Sequence, residues 1–302
     1  MIIAGAGLAG LIAGHIFPNA KIIEREAGPQ QLHNALLRFR SDAIANITGV
    51  PFRRVTVRKG VWVGGRFVEP NIALANAYSS KCLGRLLDRS IWSLAPAERF
   101  IAPGDFYARL VDACGARIEW GVDVSSANFG IEEPVVSTIP MPVALTAWGV
   151  DGCAVDPKFH RAAITVARAE VPGADVHQTV YFPERGTGVY RASITGSTLI
   201  VESVDTAIGD GEMRMVCGAF GLQDSEVGPF CGSSQRYGKI APIDNRLRKE
   251  IIHRLTTESG VYSVGRFATW RNILLDDVVK DLRIVKAMIE QNDIYSRRLS
   301  SV

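Results

Sequence analysis

The chain opens on Met1-Ile2-Ile3-Ala4, turns through Gly5-Ala6-Gly7-Leu8-Ala9-Gly10, and continues through Leu11, Ile12 and Ile16 to a second apolar run, Lys21-Ile22-Ile23, that ends in Glu24. That order spells a strand, a glycine-rich turn, a helix, a second strand and a carboxylate. Gly5 suits the tight turn, Gly7 lets backbone approach a pyrophosphate, and Gly10 lets the helix sit against the sheet. The helix N-terminus adds free N–H groups and the positive end of its dipole. A carboxylate at Glu24 can accept hydrogen bonds from a ribose diol. The spacing therefore predicts a dinucleotide site on a Rossmann-like α/β fold with a parallel sheet.

Residues 2 to 17 are also apolar enough to be weighed as a signal-peptide core or a membrane anchor. A secretory signal needs a positive start, and the first Lys or Arg is Lys21. The run is too short to span a bilayer, and Pro18 follows it. With the turn beginning at residue 5, no N-terminal extension is expected. The five cysteines (Cys82, Cys114, Cys153, Cys217, Cys231) form no CxxC pair, which points to a reducing compartment. Neither they nor the five histidines suggest a metal site. A net charge of +3 is too mild to mark a nucleic-acid protein by itself, although a local basic patch remains compatible with it. A cytoplasmic protein without a membrane span is expected.

Further along, Ser41-Asp42 opens a short helix to Ile47, and 52 to 68 reads as strands with turns at Lys59-Gly60 and Gly64-Gly65. Helices are expected over 72 to 92 and from Phe106 to Cys114, with strands over 117 to 124 and 133 to 140. From about Gly149 to Gly238 the pattern alternates, as in Gln178 to Phe182, Gly188 to Ile194 and Thr198 to Glu202. This predicts an antiparallel sheet inserted on the substrate side. The chain closes with a strand, Gly260 to Arg266, and a helix from Asp276-Asp277 whose positions Val278, Leu282, Val285 and Ile289 share one face. The expected division is a discontinuous nucleotide-binding domain (1–50, 101–148, 258–302) and a substrate domain (51–100, 149–257).

Taken together, the two ends resemble the FAD-binding oxidoreductases of the amine oxidase and UDP-galactopyranose mutase group. The residues that carry the resemblance are Gly5 to Gly10 with Glu24, Val135 to Pro140, and Gly265-Arg266-Phe267-Ala268-Thr269-Trp270 with Asp276-Asp277. It implies FAD as cofactor. Gly5, Ala6, Gly7, Leu8, Ala9 and Gly10 would hold the pyrophosphate, Glu24 and Arg25 the adenosine ribose, and the Val124 backbone the adenine. Gly265, Arg266, Asp276 and Asp277 would lie along the pyrophosphate, ribityl chain and flavin ring. A returning Gly-Arg strand favours FAD over a nicotinamide cofactor. The middle of the chain matches nothing in the group, and the histidine loop of the mutases is absent; Leu32-His33-Asn34 does not reproduce it. The run Leu37 to Ser41 and the tail Gly265 to Val279 are similar to short phage-encoded flavoproteins, some associated with thymine hypermodification. That similarity implies an amine or a modified DNA base as substrate, with DNA contact and a host-cytoplasmic setting.

Flavin chemistry at a C–N bond asks mainly for binding and orientation from the protein. His33 and Lys239 are the candidate catalytic groups, against a solvated loop histidine and a surface lysine. Arg38 and Arg40 flank Phe39 at strand spacing and are expected to point one way, as an anion clamp or as a solvated sheet face. Tyr190 and Arg191 are expected on opposite faces, so that at most one lines the pocket. Trp270 either packs over the ring system or belongs to the core. Asp244, Arg246 and Arg248 are expected to be solvated charges. The resemblance leaves open an FAD amine oxidase, a non-redox flavin enzyme like the mutases, and a flavin-binding protein without chemistry.

Overall fold

A computed structural model describes residues 1–29, 37–87, 91–125, 133–150 and 158–300, so His33 lies outside the described residues. In chain order the first half runs β1 (Ile2–Ala4), α1 (Leu8–Ile16), β2 (Lys21–Glu24), β3 (Arg38–Phe39), α2 (Ala43–Thr48), β4 (Arg53–Val63), β5 (Arg66–Val68) and α3 (Ile72–Leu83). It continues through β6 (Ala97–Ile101), α4 (Phe106–Cys114), β7 (Ile118–Trp120), β8 (Val135–Ser137) and α5 (Met141–Ala147). The second half runs β9 (Arg161–Glu170), β10 (Val176–Tyr181), β11 (Val189–Gly196), β12 (Thr198–Ser203), α6 (Asp210–Phe220), β13 (Cys231–Ile240), α7 (Asn245–Ser259), β14 (Val261–Ser263) and α8 (Leu275–Ser300).

One sheet has the order β7-β2-β1-β8-β14 and is parallel throughout. Its strands are short and apolar because both faces are covered. Ile3, Ile22, Val136 and Tyr262 pack under α1, α4 and α8, while Ile2, Ala4, Val135 and Val261 pack with Met141 of α5 and Ile251 and Leu255 of α7. The chain leaves β1 for β2 on one side and returns as β8 on the other, so the glycine turn sits at the topological switch point. Val278, Leu282, Val285 and Ile289 of α8 are all buried, as their spacing predicts.

The second sheet, β13-β9-β12-β11-β10-β4-β6-β3, with β5 paired on β4, is mixed, because β10 runs parallel to β4. Other details also depart from the sequence reading. Lys59-Gly60 is not a turn but the middle of β4, which runs on to the real turn at Gly64-Gly65. Gly60 serves another purpose: a Cβ there would meet the Phe67 ring at 2.6 Å, so its bare backbone is the seat of that ring. Helix α3 ends at Leu83, where Gly84 takes a left-handed cap, well short of residue 92. The strand expected over 117 to 124 is only β7, ended by Gly121 at φ +75°. Asp244, expected as a solvated charge, is exposed and in addition serves as the N-cap of α7, accepting from the Arg246 and Leu247 amides, both at 2.9 Å. Among the described residues no helix is long and apolar enough to cross a membrane.

Candidate functional site

The turn after β1 is built for close approach. Gly5 sits at φ +100°, and its amide donates to the Ile23 carbonyl at 2.9 Å. A Cβ on Gly10 would lie 1.8 Å from the Gly5 carbonyl oxygen, so only glycine lets α1 lie this close to the turn. Gly7 differs: it caps α1 at φ −70°, and a Cβ there would meet nothing within 4 Å. The space beside Gly7 is therefore open, at the end of a helix whose first turn holds no acidic residue and no side-chain cap. The amides of Leu8, Ala9 and Gly10 lack intrahelical acceptors, as in any first turn, and with the dipole they suit phosphate oxygens. The residues present thus fit the pyrophosphate of a dinucleotide.

Glu24 flanks this cradle. Its carboxylate accepts from the Ala6 amide at 2.7 Å and the Glu26 amide at 3.2 Å, which fixes it beside the turn with lone pairs left for ribose hydroxyls. Arg25 is exposed and pairs with Glu26. Val124 follows the segment in which Gly121 and Val122 donate to Glu26 and Glu24 carbonyls, so it lies past the same strand end.

The tail meets the head. Gly265, at φ +94°, is so close to α1 that a Cβ would touch the Ala9 Cβ at 3.4 Å. From there the loop closes on itself, with the Thr269 amide donating to Gly265 O and the Arg271 amide to Arg266 O. Arg266 reaches from this loop to the Gly238 carbonyl at 3.3 Å. Trp270 belongs to the core, 1% exposed, edge-on to Phe159 at 4.9 Å. Asp276 and Asp277 are engaged by residues 40 and 41: Asp276 accepts from the Arg40 and Ser41 amides, and Asp277 pairs with the Arg40 guanidinium at 2.6 Å. Burial pushes the Asp277 carboxyl up, but the Leu274 amide and Arg40 outweigh it and hold it below its ordinary value.

Arg38 and Arg40 do not point the same way, because β3 ends at Phe39 and the alternation ends with it. Arg40 turns to α8. Arg38 lies against the mixed sheet, where it donates to Thr179 Oγ1 at 2.6 Å, Thr195 Oγ1 at 2.8 Å and the Ile194 carbonyl at 2.8 Å. Burial, then the like charges of Arg191 and Arg99, lower its guanidinium to about 10.

Tyr190 and Arg191 do not take opposite sides either. A bulge between Val189 and Arg191 brings both onto Glu202: the Tyr190 hydroxyl donates to Oε1 at 3.0 Å, and Arg191 donates to both oxygens. Burial pushes Glu202 up, yet Arg191 outweighs it and holds the carboxylate ionised. Lys239 stands over the Tyr190 ring, 4.0 Å from its centroid. The face thus gathers Arg38, Arg191, Tyr190 and Lys239. Glu202 was not singled out from the sequence, although a two-residue turn at Gly196-Ser197 sets the register that places it opposite Arg191. Among the described residues no His, Cys, Asp and Glu cluster could hold a metal.

No protein-family model matches the sequence, and no curated protein matches it. Among solved structures, the chain is similar to a reduced UDP-galactopyranose mutase at 15% identity and a TM-score of 0.69, covering 95% of each chain. It is also similar to a CLA-producing fatty acid isomerase from P. acnes at 13% identity and a TM-score of 0.60, covering 95% of this chain and 97% of that one. At these identities the likeness is one of fold, a parallel sheet joined to a mixed sheet, over 95% of this chain.

Proposed function

We propose that this chain is an FAD-dependent enzyme acting on a small substrate that carries an anionic group. The observation that carries the anionic class is the charge on the polar face of the mixed sheet. Arg38 feels Arg191 and Arg99, Lys59 feels Arg99, and Lys239 stands beside them, with Glu202 as counter-charge. Such a wall attracts a carboxylate or phosphate and repels a simple ammonium ion. An amine substrate fits it best as an amino acid, its carboxylate toward the wall and its nitrogen neutral. When bound, the flavin supplies hydride acceptance for oxidation of the C–N bond. The chain's own part is to seat the pyrophosphate on the first turn of α1, to fix Glu24 for the ribose, and to orient the substrate by its anion. An amino-acid adduct on a thymine of phage DNA belongs to the same class; affinity for duplex DNA that does not fall with added salt would discard it.

A second reading is favoured by whole-length fold likeness to two enzymes named for rearrangements, a mutase and an isomerase. Here the flavin would act without net redox. Oxygen consumption with peroxide release on amino acids supports oxidation; turnover only after prior reduction of the flavin supports rearrangement.

The cofactor itself is tested at Gly7. Because a Cβ there enters open space at an ordinary φ, Gly7→Ala is expected to fold like the parent and to lose about tenfold or more in FAD affinity. Flavin absorbance in equimolar amount on the parent, reduced in the variant, is the expected result. A colourless parent that takes up no FAD on refolding would remove the proposal.

A further inference from the structure

Among the described residues with a side chain, Trp270 alone sits at positive φ, +47°. That conformation is unfavourable for a bulky residue and persists only where its surroundings impose it. The surroundings are visible. The indole Nε1–H donates to the Ala241 carbonyl at 2.9 Å, the ring packs on Phe159, and the residue is buried. Neighbours on the same loop make matching ties: Arg266 to the Gly238 carbonyl at 3.3 Å and Asn272 to the Ile240 carbonyl at 3.5 Å. Side chains of one loop thus hold the backbone carbonyls of residues 238 and 240 on the edge strand β13 and of residue 241 just past its end. At its start, the same loop passes beside the first turn of α1, where a Cβ on Gly265 would lie 3.4 Å from the Ala9 Cβ.

We infer that Trp270 is a positioning residue that transmits the seating of the cofactor at the glycine turn to the end of β13, and so sets where Lys239 stands over Tyr190. The inference rests on the cofactor reading above. A glycine at 270 would adopt the same backbone without strain but could not make the tie; the indole is what the strained position serves. Lys239 and Ile240 lie on the edge strand and are paired on one side, with Ala162 and Arg161 of β9. Residues 238, 240 and 241 are tied to the loop by its side chains, and the loop in turn begins beside the first turn of α1, next to the open space at Gly7.

The test is amide hydrogen exchange on the full chain, with and without FAD. In the parent, FAD is expected to slow exchange in a peptide covering 231–241 by about tenfold. In Trp270→Phe, which keeps the ring and loses the indole donor, the ratio between the two states is expected to fall below about twofold while flavin absorbance shows FAD still bound. A merely structural tryptophan would quicken exchange equally in both states and leave the ratio unchanged, and that result overturns the inference. Should Trp270→Phe fail to fold, Asn272→Ala removes an exposed neighbouring tie and is expected to lower the ratio by about threefold; an unchanged ratio there also overturns it. A parent that binds FAD without slowing 231–241 refutes the coupling alone, whereas a parent that binds no FAD refutes the cofactor reading.

Discussion

The two faces of the mixed sheet are made by the same strands and are used in opposite ways. One face presents Val180, Phe182, Ala192, Ile194, Leu199 and Val201 to Val216 and Ala219 of α6, an apolar contact with nothing left to satisfy. The other presents Thr179, Thr195, Arg191, Glu202 and Tyr190, with Arg38 laid across them and α3 covering the remainder through Tyr78. Burial of the first face stabilises by removing apolar area from water. Burial of the second costs desolvation at every charge and is tolerable only because each group meets a partner. Apolar residues of similar volume would serve folding at least as well on that side. The polar face is therefore not what stability alone would select, and the contrast is in keeping with the proposal that an anionic substrate is recognised on that side.

The sharpest way to break the contrast is at Phe182, which is fully buried on the apolar face. Phe182→Ala is expected to cost about 3–5 kcal/mol in urea unfolding, the range for a buried aromatic truncated to a methyl. The flavin absorbance per folded molecule should not change. A variant that stays folded but loses its flavin would show that the two faces are not separable.

Much of this contrast was legible in the chain, and the failures have particular causes. The turn from Gly5 to Gly10 reads directly because the closest backbone approach in the site, Gly10 on Gly5, admits no other residue. The buried face of α8 reads from its period, and the β11–β12 hairpin from the alternating runs on either side of Thr195-Gly196-Ser197, although the Arg191–Glu202 pair that its register makes was not drawn from it. Lys59-Gly60 misled because a glycine can serve a ring contact as well as a turn, and the Phe67 ring lies on the far strand of the hairpin. Tyr190 misled because strict alternation knows nothing of a bulge. The partners of Arg38, Arg266 and Trp270 were beyond reach for a simpler reason: each is a contact between segments far apart in sequence, and no local pattern encodes the meeting.

The pair at the centre of the polar face offers a second test. Glu202→Ala leaves Arg191 without its counter-charge beside Arg38 and is expected to cost about 2 kcal/mol, below the figure for a fully buried pair because the Arg191 side chain is 40% exposed. The double change Glu202→Leu with Arg191→Met is expected to recover most of that loss in urea unfolding, while the affinity of the flavoprotein for inorganic pyrophosphate, used as an anion probe, falls below that of the parent. A single variant within about 0.5 kcal/mol of the parent would make this an ordinary surface pair and remove the contrast.

The smallest expected effect concerns Lys81, on the helix that covers the polar face. Its ammonium donates to the Phe182 carbonyl at 2.8 Å and the Val189 carbonyl at 2.9 Å, where β10 and β11 part. Burial lowers it from 10.5 to about 8, even though Glu184, Glu212 and Asp205 pull the other way. A lysine lowered in the folded state binds fewer protons there than in the unfolded chain between these two values. Stability therefore rises with pH across that window, because the unfolded state must give up the proton that the folded state has already lost. Below about 8 both states are protonated and the contribution is flat. A neutral amine still donates to both carbonyls, so the tie survives the titration. The comparison to make is parent against Lys81→Met in urea unfolding at about pH 7, 9 and 11, conditions chosen to bracket the window. The difference is expected to shift in favour of the parent as pH rises. A difference that stays constant, or moves against the parent, would mean that the ammonium is solvated where it stands, and that the cover over the polar face is wetter than its contacts imply.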